Sequence, residues 1–269
     1  MNTELIISSL QNAKVKNLVA LQQKSSERRK QGLFVVEGVR ELIHCAHAGY
    51  KIENLFCCRD ILDKNPEARK LDSLIGQTTI YEVTQAVYEK MAYRGSTEGM
   101  MAEVKVKNRT LADLDLTESP LIVVLESVEK PGNLGAVLRS ADASKTDAVI
   151  VCNPLTDLFN PNLIRSSIGA IFTVPTVACS SQACMNFLKE RKIKILTAQL
   201  QDSAPYFDSD MRGSTAIVMG TESTGLTDTW RRAADAHIRI PMLGQLDSLN
   251  VSVSAAILMF EAVRQRSFK

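Results

Sequence analysis

The sequence predicts an α/β protein of two domains: a small N-terminal α/β domain, then a mostly parallel sheet with helices on both faces. Three observations lead there. The chain has 269 residues, enough for two compact domains that each bury a core. Short β-branched runs alternate with helix-spaced apolar residues in both halves. Between the halves, KNRTLADLDLTESP turns polar and acidic before Pro120, as a linker does. The chain thus divides into residues 1–108, a linker at 109–119, and residues 120–269.

In the first domain, Val15, Leu18 and Val19 keep helical spacing, so an amphipathic helix stands near the start. Phe34–Val36 is a short strand. Glu37-Gly38 then turns the chain into a helix with Val39, Leu42, Ile43 and Ala46 on one face. Ile52–Cys57 is the next strand, and the charged stretch Asp60–Leu74 is helical around Pro66. Thr79–Val83 reads as a strand, Thr84–Met91 as a helix and Val104–Val106 as a last strand.

The second domain opens with Leu121–Leu125, five apolar residues that suit a strand buried on both faces. A helix follows near Asn133, and Ala148–Cys152 is another buried strand. Asn160–Ile168 is helical, and Phe172–Val177 is an edge-like strand interrupted by Pro175. Gln182–Arg191 is a helix, with strands at Ile193–Leu196 and Thr215–Met219. Ile238–Ile240, closed by Pro241, ends a further strand, and Asp247 or Ser248 caps a final helix reaching Arg266. That helix is apolar nearly all round, with Val253, Ile257 and Phe260 on one side and Ala256, Met259 and Val263 on the other. Such a helix is expected to be covered by its own domain and by a second subunit. Its first turns carry Ser248, Asn250, Ser252 and Ser254, which either cap the helix or face a ligand.

Composition excludes several classes. No apolar run approaches the roughly 20 residues of a membrane helix. The opening MNTELIISSLQ lacks the basic start and cleavage site of a signal peptide, so a cytoplasmic protein is expected. Six cysteines without a CxxC pair, and only three histidines, argue against a zinc site or a disulfide framework. A net charge of +2 says little, but Lys14, Lys16, Lys24, Arg28, Arg29 and Lys30 face only Glu4 and Glu27. That run is either a solvated helix surface or a patch that tracks phosphates.

Parallel sheets take ligands beyond the carboxyl ends of their strands, and three segments fall there. In PGNLGAVLRSADA, Pro131–Ala143, the core stripe is Leu134, Val137, Leu138 and Ala141, and Arg139 lies off it above Gly135. Arg139 either pairs with Asp142 at i+3 or grips a phosphate or a ribose hydroxyl. GTESTG, Gly220–Gly225, is either a strand-to-helix turn with Thr227 capping Asp228–Ala234, or a loop whose glycines admit a flat ligand. The third segment is Ile238–Glu261, IRIPMLGQLDSLNVSVSAAILMFE. No P-loop occurs, and no GxGxxG follows the first strand of either domain. That argues against a nucleotide-dependent oxidoreductase.

Taken in order, GNLGAVLR, GTESTG and IPMLGQLDSLNVSVSAAI resemble motifs 1, 2 and 3 of the SpoU (TrmH) branch of the SPOUT RNA methyltransferases. IRSSIGAIFTVPTV resembles the family's connecting helix and strand. FVVEGVRELI and STEGMMAEV are similar to the substrate-binding domain that precedes many members. The resemblance implies an RNA-binding domain at 1–108 and a methyltransferase domain at 120–269 that ends in a trefoil knot. It further implies a homodimer with S-adenosylmethionine held near Gly220, Ile240 and Leu249. Asn133, Arg139, Glu222, Ser248 and Asn250 become the active-site residues, with no metal and no membrane involved. The implied reaction methylates a ribose 2′-hydroxyl of RNA, ribosomal RNA being favoured over transfer RNA.

A ribose hydroxyl is a poor nucleophile until it loses its proton. Because guanidinium stays protonated, Arg139 is expected to position the ribose and phosphate and to stabilise alkoxide charge. Motif 2 departs from the common GNExxG: Thr221 replaces the asparagine, and Ser223 stands where glycine is frequent. The competing reading is a non-catalytic RNA-binding ribosome-assembly factor on the same scaffold. Intact Arg139, Glu222 and Asn250 weigh against it.

Overall fold

The computed structural model describes residues 5–71, 78–93, 98–221 and 225–267. Its first elements are β1 (Leu5–Ile7), α1 (Ala13–Gln23), α2 (Ser25–Gln31), β2 (Leu33–Glu37), α3 (Val39–His47), β3 (Ile52–Cys57), α4 (Arg59–Leu62), β4 (Thr79–Val83), α5 (Gln85–Met91) and β5 (Met100–Lys105). There follow β6 (Leu121–Glu126), α6 (Pro131–Ala143), β7 (Ala148–Cys152), α7 (Pro161–Ser166), α8 (Ala170–Thr173), β8 (Thr176–Cys179) and α9 (Ser181–Glu190). The chain ends with β9 (Lys194–Ala198), β10 (Ala204–Pro205), β11 (Thr215–Met219), α10 (Asp228–Ala233), β12 (Ala236–Arg239) and α11 (Val251–Ser267). Two compact units result: Met1–Lys107 with Asp157–Thr173, and Asn108–Thr156 with Val174–Lys269.

The first unit holds a five-stranded sheet in the order β1-β4-β3-β5-β2. Strand β5 runs antiparallel to β2 and β3, and both pairings of β4 are parallel. Helical spacing brings Val15, Leu18 and Leu21 of α1 into one core with Phe56, Tyr81 and the α5 residues Val87, Tyr88 and Met91. Phe34 of β2 meets a separate aromatic group, stacked on Phe159 at 4.4 Å and on Phe172 at 6.1 Å. Those two rings explain why segment 157–173 packs with this unit.

Arg28 leaves the expected basic surface. It is buried, donating to the carbonyls of Leu21 and Gln22 at 2.6 and 3.1 Å and to the Asp157 carboxylate at 2.6 Å. Its charge is neutralised inside the unit, while Lys14, Lys16, Lys24, Arg29 and Lys30 stay exposed. The helix expected at Asp60–Leu74 is instead α4 plus a 3-10 helix at Pro66–Leu71, its end lying outside the described residues. Pro66 lacks the N–H that would continue an α-helix across it.

The second unit carries a seven-stranded, wholly parallel sheet in the order β10-β12-β9-β11-β6-β7-β8. Every residue of β6, β7 and β11 is buried, as their uninterrupted apolar runs required. Ile122 and Val124 share a core with α9 and α10. Helices α6 and α11 pack on each other, and α11 also meets β6 and β11. Phe172 is not in a strand: it sits in α8, and β8 begins at Thr176 after Pro175, which has no N–H for a ladder. At the far end of α11, Arg266 donates to the carbonyls of Met211, Ser119, Pro120 and Gly213, fixing that helix under the sheet. No helix among the described residues is long and apolar enough to cross a membrane.

Candidate active site

Strands β11, β9 and β12 are parallel neighbours, so their carboxyl ends open on one edge of the sheet. Residues 198–201, 219–221 with 225–226, and 238–240, 242, 247–249 and 251 leave those ends and line a cavity of about 350 Å³. All three candidate cofactor residues, Gly220, Ile240 and Leu249, line it, and so does Ser248. Two of its buried polar atoms have no partner: Gln199 Oε1 and Arg231 Nε. A cavity with one acceptor and one cationic donor unmatched is set for a polar ligand.

The GTESTG loop is pinched at its base. Thr221 and Gly225 exchange backbone hydrogen bonds at 3.3 and 3.1 Å. A Cβ on Gly220 would lie 2.2 Å from the Gly225 carbonyl, and Gly225 itself has φ +66°. The first glycine therefore serves a backbone-to-backbone approach, and the second a left-handed turn. Glu222, Ser223 and Thr224 lie outside the described residues. Gly220→Ala is expected to cost about 1–3 kcal/mol or more, because rigid backbone has to move. Gly225→Ala, with nothing within 4 Å of the new Cβ, should cost only about 1–2 kcal/mol of strain. Urea unfolding measures both; a Gly225→Ala loss equal to or above that of Gly220→Ala would contradict the pinch.

Asn250 caps α11, in place of the expected Asp247 or Ser248. Its Oδ1 accepts from the Ser252 N–H at 2.9 Å and the Ser252 hydroxyl at 2.6 Å, and its carbonyl accepts from Val253 and Ser254 at 3.0 Å. The polar residues of this stretch divide: Asn250 and Ser252 build the cap, and Ser248 and Ser254 line the cavity. The Ser248 hydroxyl donates to Asp247 at 3.1 Å.

Asn250 Nδ2 also donates to Asn133 Oδ1 at 3.2 Å, joining the first and third motifs. Asn133 lines a second cavity of about 130 Å³ with Glu129 and Lys130; Gly220, Thr221 and Val251 line both cavities. Arg139 lies apart. It is exposed, lines neither cavity, and makes no ion pair with Asp142 or any other described carboxylate.

Glu126, which the sequence reading passed over, is only 3% exposed. Its Oε1 accepts from the hydroxyls of Ser181 and Thr227, and its Oε2 from the Thr227 N–H, all at 3.0 Å. Trp230 Nε1 and Asn153 Nδ2 donate in turn to the Ser181 hydroxyl. The carboxylate thereby anchors the start of α10, directly after the GTESTG loop. A lone acid closing a five-residue apolar strand was the available signal.

Residues 120–260 match the family described as SpoU rRNA Methylase, and residues 12–102 the MRM3-like substrate binding domain. The chain is 34% identical over 238 residues to the 23S rRNA (guanosine-2′-O-)-methyltransferase RlmB of Vibrio vulnificus, covering 80% of this chain and 96% of that one. It is 28% identical over 265 residues to a 23S rRNA (uridine(2479)-2′-O)-methyltransferase of Streptomyces viridochromogenes, covering 95% and 91%. The crystal structure of an AdoMet-bound rRNA methyltransferase from Sinorhizobium meliloti superimposes with a TM-score of 0.86 at 27% identity, covering 96% and 97%.

Proposed function

This chain belongs to the SpoU rRNA methylase family, and we propose that it transfers a methyl group from S-adenosylmethionine to a ribose 2′-hydroxyl of 23S ribosomal RNA. The observation that carries the assignment is the cavity at the ends of β9, β11 and β12, lined by all three candidate cofactor residues. At about 350 Å³ it has the size of a small-molecule site, roughly 300–1,000 Å³. Its unmatched Arg231 Nε and Gln199 Oε1 suit the carboxylate and amino groups of the cofactor's amino-acid end. Met219, Ile238, Leu249 and Leu258 offer apolar surface to its adenosine. The bound cofactor supplies a methyl group made electrophilic by its sulfonium.

The protein's own residues then have to bring the ribose to that methyl group and manage the hydroxyl proton. Asn133 and Asn250 form a joined amide pair at the edge of the second cavity, suited to hold the ribose. Ser248 and Glu222 complete the set, with Arg139 as the cation that steadies phosphate and developing alkoxide. The two relatives are named for guanosine and for uridine respectively. Residues 1–108 serve as the substrate-binding module on the linker 109–119. The match over residues 12–102 and the exposed Lys14, Lys16, Lys24, Arg29 and Lys30 support that role.

The enzyme works as a homodimer with a trefoil-knotted C-terminus, in the cytoplasm, where ribosomal RNA is assembled. For the knot, the support is that the chain leaves β12 near one sheet edge and returns as α11 against β6, β11 and α6. For the dimer, it is the apolar face of α11 left uncovered by its own unit. Val253 is 46% and Phe260 47% exposed, with Leu243 and Leu246 exposed in the loop before them. Phe260→Asp is expected to give a monomer in sedimentation and to lose methyl transfer. An intact dimer in that variant would move the interface elsewhere.

The direct test offers labelled S-adenosylmethionine with unmodified ribosomal and transfer RNA fractions separately. Label in ribose 2′-O-methyl nucleotides of the ribosomal fraction is the expected result. Tight RNA binding without label, from naked RNA and from precursor particles alike, would instead establish the assembly-factor reading.

A further inference from the structure

Three cysteines that no sequence motif links come together in the second unit. Cys152 closes β7 and Cys179 closes β8, and they are register partners in that parallel pair. Register partners project from the same face of a sheet. Cys184 comes from α9, which shares the core on that face with Cys152. The three Sγ atoms all lie within 4.8 Å of one another. Cys152 and Cys184 are fully buried, and Cys179 is partly exposed, which leaves an entry from solvent.

A buried thiol packs as a small hydrophobe, so core packing accounts for any one of these residues. It does not account for three sulfurs converging on one point from two strands and a helix. From that convergence we propose that Cys152, Cys179 and Cys184 form a three-thiolate site for a soft d10 metal ion. Metal–sulfur bonds of about 2.3 Å set the sulfurs of a closed site about 3.8–4.0 Å apart. From a spacing of at most 4.8 Å, side-chain adjustment of about an ångström or less closes it. Thiolates select Cu(I) and zinc among the available metals. Three sulfurs complete a trigonal Cu(I) site, and zinc would take a water on the exposed Cys179 side as its fourth ligand. The remaining cysteines, Cys45, Cys57 and Cys58, are buried in the other unit.

Full-length, reduced, metal-free protein would be titrated with Cu(I) and with Zn(II) in separate arms, each against a chromophoric chelator. The expected result is one equivalent of at least one ion. Its affinity should fall at least about tenfold in both Cys179→Ser and Cys184→Ala, since each removes one of three ligands. X-ray absorption on the loaded wild type should count three sulfur neighbours at about 2.3 Å. Uptake of neither ion, uptake with fewer than three sulfur neighbours, or affinity unchanged in the variants would overturn the site. If Cys184→Ala does not fold, Cys179→Ser, changed at a partly exposed position, decides together with the sulfur count.

Discussion

Arg139→Ala should lower the rate of methyl transfer by about 10²–10³-fold, the usual consequence of removing one preorganised group that stabilises transition-state charge. The structure makes this an informative variant. Arg139 is exposed and without an ion-pair partner among the described residues, so the fold loses nothing by its removal. It lines neither cavity, so affinity for S-adenosylmethionine should stay as it was. The loss should therefore fall on kcat and on RNA affinity, with unchanged unfolding and unchanged cofactor binding by calorimetry. Arg139→Lys separates charge from shape: it keeps the cation and loses the planar fork, and partial activity is expected. Full activity in the lysine variant would remove the geometric part of the role, and full activity in the alanine variant would remove the role altogether.

Elements whose residues have one physical solution were legible in the sequence, and those settled by distant contacts were not. Strands β6, β7 and β11 are apolar runs with one physical solution, burial on both faces, and they were legible. Helix α1 was legible from its 3.6-residue spacing. Helix α2, SSERRKQ, has no apolar stripe, and Arg28 within it is buried by an acid 129 positions away, which no local pattern encodes. The same holds at the site. Gly220 signalled itself as a backbone requirement, and the Gly225 carbonyl is what a Cβ there would meet. Asp247, Ser248 and Asn250 are all good caps, so cap propensity does not single out Asn250, and its bond to Asn133 spans 117 positions. The thiol cluster was illegible for the same reason: Cys152 meets Cys179 only through strand register.

Glu126→Ala is expected to destabilise the second unit by about 2–4 kcal/mol, the cost of leaving buried neutral donors without their charged acceptor. The hydroxyls of Ser181 and Thr227 and the Thr227 N–H would lose their acceptor together, in a site where the carboxylate is 3% exposed and water cannot replace it without a cavity. At about 2–4 °C per kcal/mol for a domain of this size, the midpoint should fall by roughly 10 °C. Glu126→Gln is the finer probe. Its oxygen can keep the two hydroxyl donors now on Oε1, but its amide NH₂ must then face the Thr227 N–H, donor against donor. A smaller loss of about 1–3 kcal/mol follows. Because Thr227 is one residue beyond the cavity-lining Gly225 and Leu226, S-adenosylmethionine affinity should fall in the glutamine variant even where the protein remains fully folded. Unchanged affinity in a folded Glu126→Gln protein would mean that the Gly220–Gly225 pinch holds the loop by itself. Unchanged stability in Glu126→Ala would mean that the three donors find other acceptors, and that the buried carboxylate is not what fixes α10 to the end of β6.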